Sequence, residues 1–170
     1  MIETRLEGEA DFAAIHAVHE AAFGQDAEAR LVDRLRIDGL IVASIVGILD
    51  EEVVASAVLS EVTLTTRSGP MRAVALAPVA VMPGYHRRGL GTAVVAHGLR
   101  ICTERGYEAA FVRGDPAYYA RFGFSPELAR AVSSPYSDGA ITWQALQLYP
   151  PSHAWEEALA VYPAAFSIVM

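Results

Sequence analysis

A short glycine-rich turn between an apolar run and a helix-like segment constrains the fold of this 170-residue chain more than any other feature. The apolar run ends at Pro83, three glycines and two adjacent arginines follow, and a helix-like segment then covers residues 92–105. Glycines let backbone N–H groups turn toward an anion, and the first turn of a helix has free N–H groups at the positive end of its dipole. The pattern predicts a strand, a phosphate-binding turn and a helix in that order.

The spacing of these glycines distinguishes between kinds of phosphate ligand. A dinucleotide-binding turn needs Gly-x-Gly-x-x-Gly, and here Gly89 and Gly91 are followed by Val94 in place of the third glycine. Glu108 does lie at a suitable spacing downstream for a ribose contact, so a dinucleotide stays open as a weaker reading. A Walker-type turn needs a lysine, and all thirteen basic residues of this chain are arginine.

Two segments together resemble one family. Residues 86–91, His-Arg-Arg-Gly-Leu-Gly, resemble the pyrophosphate loop of the GCN5-related N-acetyltransferases (the GNAT superfamily), Arg/Gln-x-x-Gly-x-Gly/Ala, with His86 as the one departure. Residues 114–124, Gly-Asp-Pro-Ala-Tyr-Tyr-Ala-Arg-Phe-Gly-Phe, resemble the YhbS-like bacterial branch of that family, in which a tyrosine stands four residues before Gly-Phe. The resemblance covers residues 1–125 well and the last third of the chain poorly.

The resemblance implies acetyl-CoA as the cosubstrate. Pro78 cannot donate to a strand ladder, so it belongs either at a bulge, which is predicted over residues 77–79, or in an unpaired edge strand that it bends. In the resembled fold such a bulge separates the fourth strand from the fifth, and the pantetheine arm binds in the gap. The residues implied to bind the cofactor are Val79, Ala80 and Val81 of the strand, His86, Arg87, Arg88, Gly89, Leu90, Gly91 and Thr92 of the loop, and Asp115 and Tyr119 of the second segment.

The activity implied is direct transfer of the acetyl group to a primary amine in a ternary complex. The resemblance gives Tyr119 the role of acid for the leaving thiolate, and a phenol with an ordinary pKa of about 10 is protonated at neutral pH. Many relatives carry a carboxylate base on or beside the central strand, but residues 62–103 contain no Asp or Glu. Glu61 is therefore the candidate base, with Glu20, His19 or a chain of waters as alternatives.

Composition argues against several other classes of protein. Hydrophobic residues make up 53% of the chain, which disfavours disorder, and a net charge of −7 disfavours a nucleic-acid partner. No apolar run is long enough to span a membrane, and the N-terminal residues do not read as a signal peptide. A single cysteine, Cys102, suits a reducing cytoplasm. His16 and His19 are too few ligands for a metal site, and none is predicted.

The expected architecture is one domain over residues 1–170 with an α/β GNAT fold. Its central sheet is mixed but mostly antiparallel, is splayed between strands 4 and 5, and has helices on both faces. Strands are predicted over 2–6, 41–49, 53–66, 71–81, 109–113 and 140–148, and helices over 12–22, 27–36, 92–105 and from Pro116, with Asp11 and Asp115 as caps. Residues 133–139 read as a loop.

The acceptor is expected to be a small-molecule or peptide amine, and a homodimer is common among relatives. Trp143, Tyr149, Trp155 and Tyr162 either line an acceptor pocket or close the core. Two rival functions stay open. One is a regulatory module that binds acyl-CoA without catalysis, which the missing central-strand carboxylate motivates, and the other is a nucleotide-dependent oxidoreductase.

Overall fold

The fold is known from a computed structural model, which describes residues 1–137, 141–152 and 154–170. Eight strands occur in the described residues: β1 Glu3–Leu6, β2 Ile41–Leu49, β3 Glu52–Thr66, β4 Gly69–Val81, β5 Ala109–Arg113, β6 Val132–Ser133, β7 Trp143–Gln147 and β8 Ala158–Val161. The α-helices in these residues are α1 Phe12–Phe23, α2 Ala27–Ile37, α3 Leu90–Glu104, α4 Pro116–Tyr119 and α5 Pro126–Ala129. Short 3₁₀ turns cover Glu9–Asp11, Ala120–Phe122 and Ala164–Ile168.

The strands form one mixed sheet with the order β1-β2-β3-β4-β5-β7. Most neighbours in it are antiparallel, whereas β4 and β5 are parallel. This arrangement confirms the predicted sheet. The chain divides into two compact units that interleave along the sequence, and β3 and β4 contribute residues to both. The first unit comprises Met1–Ser60, Ala77–Ile101 and Ala164–Met170, and the second comprises Glu61–Leu76 and Cys102–Pro163.

The first unit is built on long apolar strands covered by α1 and α2. β2 pairs antiparallel with β1 on one side and with β3 on the other. Ile15 of α1 and Val32 of α2 are buried against Val46 and Val58, which lie on one face of the sheet. Burying an aliphatic side chain of this size contributes about 1.5–3 kcal/mol, so the apolar stripe of each helix determines which way it faces.

One predicted helix cap is wrong. The Asp11 side chain does not cap α1. Instead its carboxylate accepts a 2.7 Å hydrogen bond from the Gly8 amide and forms a 2.6 Å ion pair with Arg5. The hydrogen bond from Arg5 holds the pKa of Asp11 below its usual value. Asp11 therefore closes the 3₁₀ turn before the helix, because the nearby arginine and the Gly8 amide engage both of its oxygens.

The second unit contains the parallel ladder. Ala73–Ala75 of β4 pair with Ala109–Phe111 of β5, and β5 pairs antiparallel with β7 over its whole length. β8 pairs antiparallel with β3 and parallel with β6. β4 continues as a strand beyond this ladder, from Leu76 to Val81, and includes Pro78 behind a cis peptide bond.

The predicted boundaries differ from the structure by a few residues. α3 begins at Leu90 rather than at Thr92, and β4 begins at Gly69 rather than at Met71. The late strand predicted over 140–148 is observed as Trp143–Gln147, and Ala140 lies outside the described residues, as do Asp138 and Gly139 of the predicted loop. Within the described part of the chain, no helix combines the length and the apolar character needed to cross a membrane.

Candidate functional site

The turn after β4 carries left-handed backbone at three positions. Gly84 has φ of 91°, Arg87 of 62° and Gly89 of 81°. A Cβ added at Gly89 would have Ile2 Cδ1, 4.0 Å away, as its nearest neighbour, so the backbone there is open to an approaching ligand. Glycine relieves the strain that other residues have in this region of φ. The loop thus presents bare backbone just before a helix N-terminus, which is the arrangement that binds phosphate.

α3 is anchored tightly behind this loop. Leu90 is 1% exposed, and an added Cβ at Gly98 would lie 2.4 Å from Leu59 Cδ1. The Thr4 hydroxyl and His97 Nδ1 form a 2.8 Å hydrogen bond that ties β1 to the same helix. Gly91 and Thr92 lie in the first turn and are half-buried. The helix N-terminus is therefore held in a fixed position relative to the first unit's sheet.

His86 departs from the family loop pattern, and the structure gives it a local role. Its Nε2–H donates a 3.2 Å hydrogen bond to the carbonyl of Val81, the last residue of β4. Arg87 and Arg88 beside it are exposed, and the Arg88 guanidinium lies 5.2 Å from the centre of the Tyr85 ring. The imidazole thus ties the loop to the strand end and leaves both guanidinium groups facing solvent.

The end of β4 supplies the other backbone groups predicted to meet the cofactor. Met82 N–H donates a 2.8 Å hydrogen bond to Val54 O, which pairs this end of the strand with β3. Ala80 is 3% exposed, whereas Val79 and Val81 are half-buried. Side chains alternate along a strand, so Val79 and Val81 share one face and Ala80 lies on the other.

In the second unit, Asp115 caps α4. Its Oδ1 accepts a 2.9 Å hydrogen bond from the Ala117 amide, and Pro116 occupies the first helical position. Gly123, with φ of 98°, ends the 3₁₀ turn that follows the helix. The predicted cap and stop are confirmed, and together they position the two tyrosines of α4.

Tyr119 packs directly over the backbone that follows β5. A Cβ added at Gly114 would lie 2.5 Å from Tyr119 Cε2, and the ring also meets Tyr118 and Phe124 edge-on, with centroids 4.9 and 5.9 Å away. Burial raises the pKa of Tyr119 to about 12. The hydroxyl is consequently protonated at neutral pH and can donate a proton. Tyr118 is only half-buried and lies beneath the Arg121 guanidinium, 4.2 Å away.

Glu61 and Tyr119 are not brought together. Glu61 Oε1 accepts a 2.5 Å hydrogen bond from the hydroxyl of Tyr107, which precedes β5, whereas Tyr119 covers Gly114 beyond the other end of that strand. The run from Tyr107 to Gly114 extends for roughly 23 Å at about 3.3 Å per residue. Burial, followed by the Glu61 hydrogen bond, raises the pKa of Tyr107.

The two alternative bases lie in the first unit. His19 is fully buried, with its Nε2 3.0 Å from the Ser56 hydroxyl, and burial lowers its pKa to about 4. Glu20 is exposed and lies 3.5 Å from His16 Nε2. His19 is therefore neutral at pH 7 and shielded from solvent.

Glu108, the candidate ribose contact of a dinucleotide, is engaged by backbone amides of the protein. Its Oε2 accepts a 3.1 Å hydrogen bond from the Arg72 amide, and its Oε1 accepts one of 2.5 Å from the Ser152 amide. The residue is 8% exposed, and both carboxylate oxygens bind backbone of the second unit. Among the described residues, no group of three or more His, Cys, Asp or Glu is arranged to hold a metal ion.

Sequence reasoning missed Gln144 of β7. Its side-chain amide donates a 3.1 Å hydrogen bond to the Gly114 carbonyl and so fixes the backbone beneath Tyr119. The residue is fully buried, and no described residue donates to its Oε1. A lone glutamine in an apolar strand gives no signal in a single sequence, because its partner is thirty positions away.

Comparison with known proteins supports the family resemblance. A family model described as an acetyltransferase (GNAT) domain matches residues 3–126. The uncharacterized N-acetyltransferase YhbS of Escherichia coli K12 is 38% identical over 121 residues, which is 71% of either chain. The uncharacterized N-acetyltransferase YjhQ of the same strain is 29% identical over 123 residues, which is 71% of this chain and 68% of YjhQ.

Two solved structures extend the likeness to nearly the whole chain. The E. coli YhbS structure in complex with CoA matches with a TM-score of 0.86 and 31% identity, covering 98% of this chain and 92% of that one. A GNAT acetyltransferase of Brucella melitensis in complex with acetyl-CoA matches with a TM-score of 0.78 and 27% identity, covering 98% of both chains. The fold match therefore includes the last third, which the sequence resemblance left uncovered.

Proposed function

This chain belongs to the GNAT acetyltransferase family, and we propose that it transfers the acetyl group of acetyl-CoA to a primary amine by direct attack in a ternary complex. The observation that carries the proposal is the loop over residues 83–92, where open backbone at Gly89 precedes the anchored N-terminus of α3. In this proposal the loop amides and the helix N-terminus bind the pyrophosphate of CoA, and Arg87 and Arg88 add positive charge at its edge. The CoA and acetyl-CoA held by the two solved relatives support the choice of ligand.

The proposed chemistry is a single acyl transfer. The lone pair of a neutral amine attacks the thioester carbonyl carbon, the C–S bond breaks, and the sulfur leaves as a thiolate that takes a proton from the Tyr119 hydroxyl. The Tyr119 phenolate then regains a proton from solvent before the next turnover. A backbone N–H of Val79 or Val81 is the donor that we assign to the thioester oxygen as it gains charge. Tyr119 suits the acid role because its hydroxyl is protonated across the working pH range.

The proton on the attacking nitrogen needs another acceptor. Glu61 is held by Tyr107 at the far end of β5, and His19 is enclosed with a pKa of about 4, so we assign the base role to neither. We propose instead that the enzyme binds the fraction of acceptor that is already neutral and that solvent takes the proton released after attack. This mechanism makes the rate depend on the amine's own pKa.

A second candidate is a module that binds acyl-CoA and does not catalyse. The absence of Asp and Glu from residues 62–103, together with the position of Glu61, favours it. Turnover separates the two candidates, because both bind acetyl-CoA and only the first releases free thiol in the presence of an amine.

The first experiment is calorimetric binding of acetyl-CoA, with NADH, NADPH and FAD as controls, followed by a thiol-release screen of amines. Binding of acetyl-CoA alone with amine-dependent thiol release supports the transferase. Binding without release from any amine supports the regulatory module, and binding of a dinucleotide in place of acetyl-CoA contradicts both. A cytoplasmic location and a homodimer belong to the same proposal, and cell fractionation and sedimentation test them.

A further inference from the structure

Arg113, at the end of β5, carries a cation without a carboxylate partner. Its guanidinium lies 5.2 Å from the centre of the Tyr136 ring and the residue is exposed. Within the described ranges no Asp or Glu pairs with it, whereas five other arginines form ion pairs with carboxylates: Arg5, Arg30, Arg34, Arg36 and Arg67. The aromatic ring holds this cation in place, and its N–H donors remain available.

The strand pattern places Arg113 and Tyr119 on opposite faces of the sheet. Arg113 pairs with Trp143 of β7, and Phe111, two residues earlier and thus on the same face, stacks on Trp143 with ring centroids 5.2 Å apart. Gly114 is the next residue and faces the other way, where Tyr119 covers it. The groups that Arg113 and Tyr119 can contact therefore lie on opposite sides of the end of β5.

The Arg113 face also carries an unsatisfied donor. The Trp155 ring lies 6.2 Å from that of Phe111, and its buried indole N–H has no acceptor among the described residues. An indole nitrogen can only donate, and a buried donor without an acceptor costs free energy. Because its Nε1 is closed to solvent, Trp155 contributes an aromatic ring, and not an accessible donor, to the face formed by Phe111, Trp143, Tyr136 and Tyr162.

From these contacts we infer that the acceptor amine also carries a carboxylate, which Arg113 binds on the face opposite Tyr119. A planar guanidinium matches the two oxygens of a carboxylate, and the aromatic rings suit the carbon skeleton that joins the carboxylate to the amine. The inference rests on the proposed acetyl transfer. It identifies the substrate class as amino acids or molecules that share their amine and carboxylate groups.

The kinetic test compares amino acids with the amines that remain after removal of the carboxylate, using thiol release from acetyl-CoA. We expect the wild-type protein to prefer the amino acids by about 10- to 100-fold in kcat/KM, as expected for hydrogen bonds to a charged group. Arg113→Gln should remove this preference by raising KM for the amino acids alone.

Arg72→Gln is the matched control. It removes a second stack of arginine on tyrosine, Arg72 over Tyr107 at 4.3 Å, at the other end of β5. This variant should keep the wild-type preference. Equal or better turnover of the decarboxylated amines by the wild-type protein would overturn the inference and leave the acetyl transfer standing.

A binding measurement tests the inference without turnover. Trp143 and Trp155 are the only two tryptophans of the chain, so intrinsic fluorescence reports on this face. With CoA present, N-acetylated amino acids should give a saturable change, N-acetylated amines without a carboxylate should give none, and Arg113→Gln should weaken the response about tenfold or more. No response to any N-acetylated amino acid would overturn the inference, whereas absence of turnover with every amine would overturn the proposed function instead.

Discussion

Gly114 and Tyr119 are packed so closely that a Cβ on residue 114 would lie 2.5 Å from Tyr119 Cε2. Gly114 does not have a left-handed φ, so the close approach of the ring, and not the backbone, is what requires a glycine here. The position of the proposed acid therefore depends on a residue with no side chain.

Gly114→Ala should displace the Tyr119 ring and lower kcat by about 10- to 100-fold, since a shift of about 1 Å at a catalytic group can cost that much. The KM for acetyl-CoA should change little, and overpacking should reduce the free energy of unfolding by about 1–3 kcal/mol. Steady-state kinetics and urea unfolding check both effects. If the acid role is correct, Gly114→Ala should add little to the loss already caused by Tyr119→Phe.

The pH dependence of turnover tests both the acid and the missing base. Because burial raises the pKa of Tyr119 to about 12, the hydroxyl remains protonated and kcat should not fall between pH 8 and 10. If the enzyme binds neutral amine, kcat/KM should rise with pH up to the pKa of the acceptor and move with it between acceptors. Tyr119→Phe should lower kcat at every pH in this range, and Tyr118→Phe is the control. A rise centred at one pH for acceptors of different pKa would instead indicate a protein base.

The cofactor loop can be tested with two glycines of the first unit that share the same strain. Gly89 and Gly39 have φ of 81° and 71°, and neither has a neighbour nearer than 4.0 Å to an added Cβ. Alanine at either position should cost about 1 kcal/mol of stability, because both require left-handed backbone. Only Gly89→Ala should weaken acetyl-CoA binding, by about tenfold or more in Kd, because only there does the side chain project at the proposed pyrophosphate site. Equal affinities for the two variants in calorimetry would contradict the loop assignment.

Local patterns predicted the parts of this site that lie within a few residues of each other. The glycines around residue 89, the Asp115 cap and Tyr119 are all visible in short segments, because turns and caps are local interactions. The pairing of Arg113 with Tyr136, and of Gln144 with Gly114, joins residues twenty or more positions apart that only the strand register brings together. Glu61 illustrates the same limit. Its strand, β3, was predicted from the sequence. Which end of β5 it faces depends on the register of the sheet, and one sequence does not specify that register.

Glu61→Gln distinguishes a catalytic from a structural carboxylate. Glu61 accepts the Tyr107 hydroxyl hydrogen bond at the opposite end of β5 from Tyr119, so its loss should leave kcat/KM within about twofold of the wild-type value. The amide oxygen of glutamine can still accept from Tyr107, and the stability change should be small. Tyr107→Phe is the companion variant, because it removes the same hydrogen bond from the other side. A large fall in kcat for Glu61→Gln alone would return the base role to this residue.

His19 should make the protein less stable in mild acid. Its pKa is about 4 in the folded protein, because of burial, and about 6.5 in the unfolded chain. Below pH 6.5 the unfolded chain takes up a proton that the folded protein does not, so stability falls as the pH drops from 6.5 toward 4 and then levels off. At pH 4.5 the loss should be about 2–3 kcal/mol relative to pH 7.5. His19→Gln removes the titrating group, and urea unfolding of this variant should lack that part of the pH dependence. His16→Gln changes a half-exposed histidine of the same helix and should keep the full pH dependence of stability. An unchanged pH dependence in His19→Gln would show that His19 is accessible to protons in the folded state.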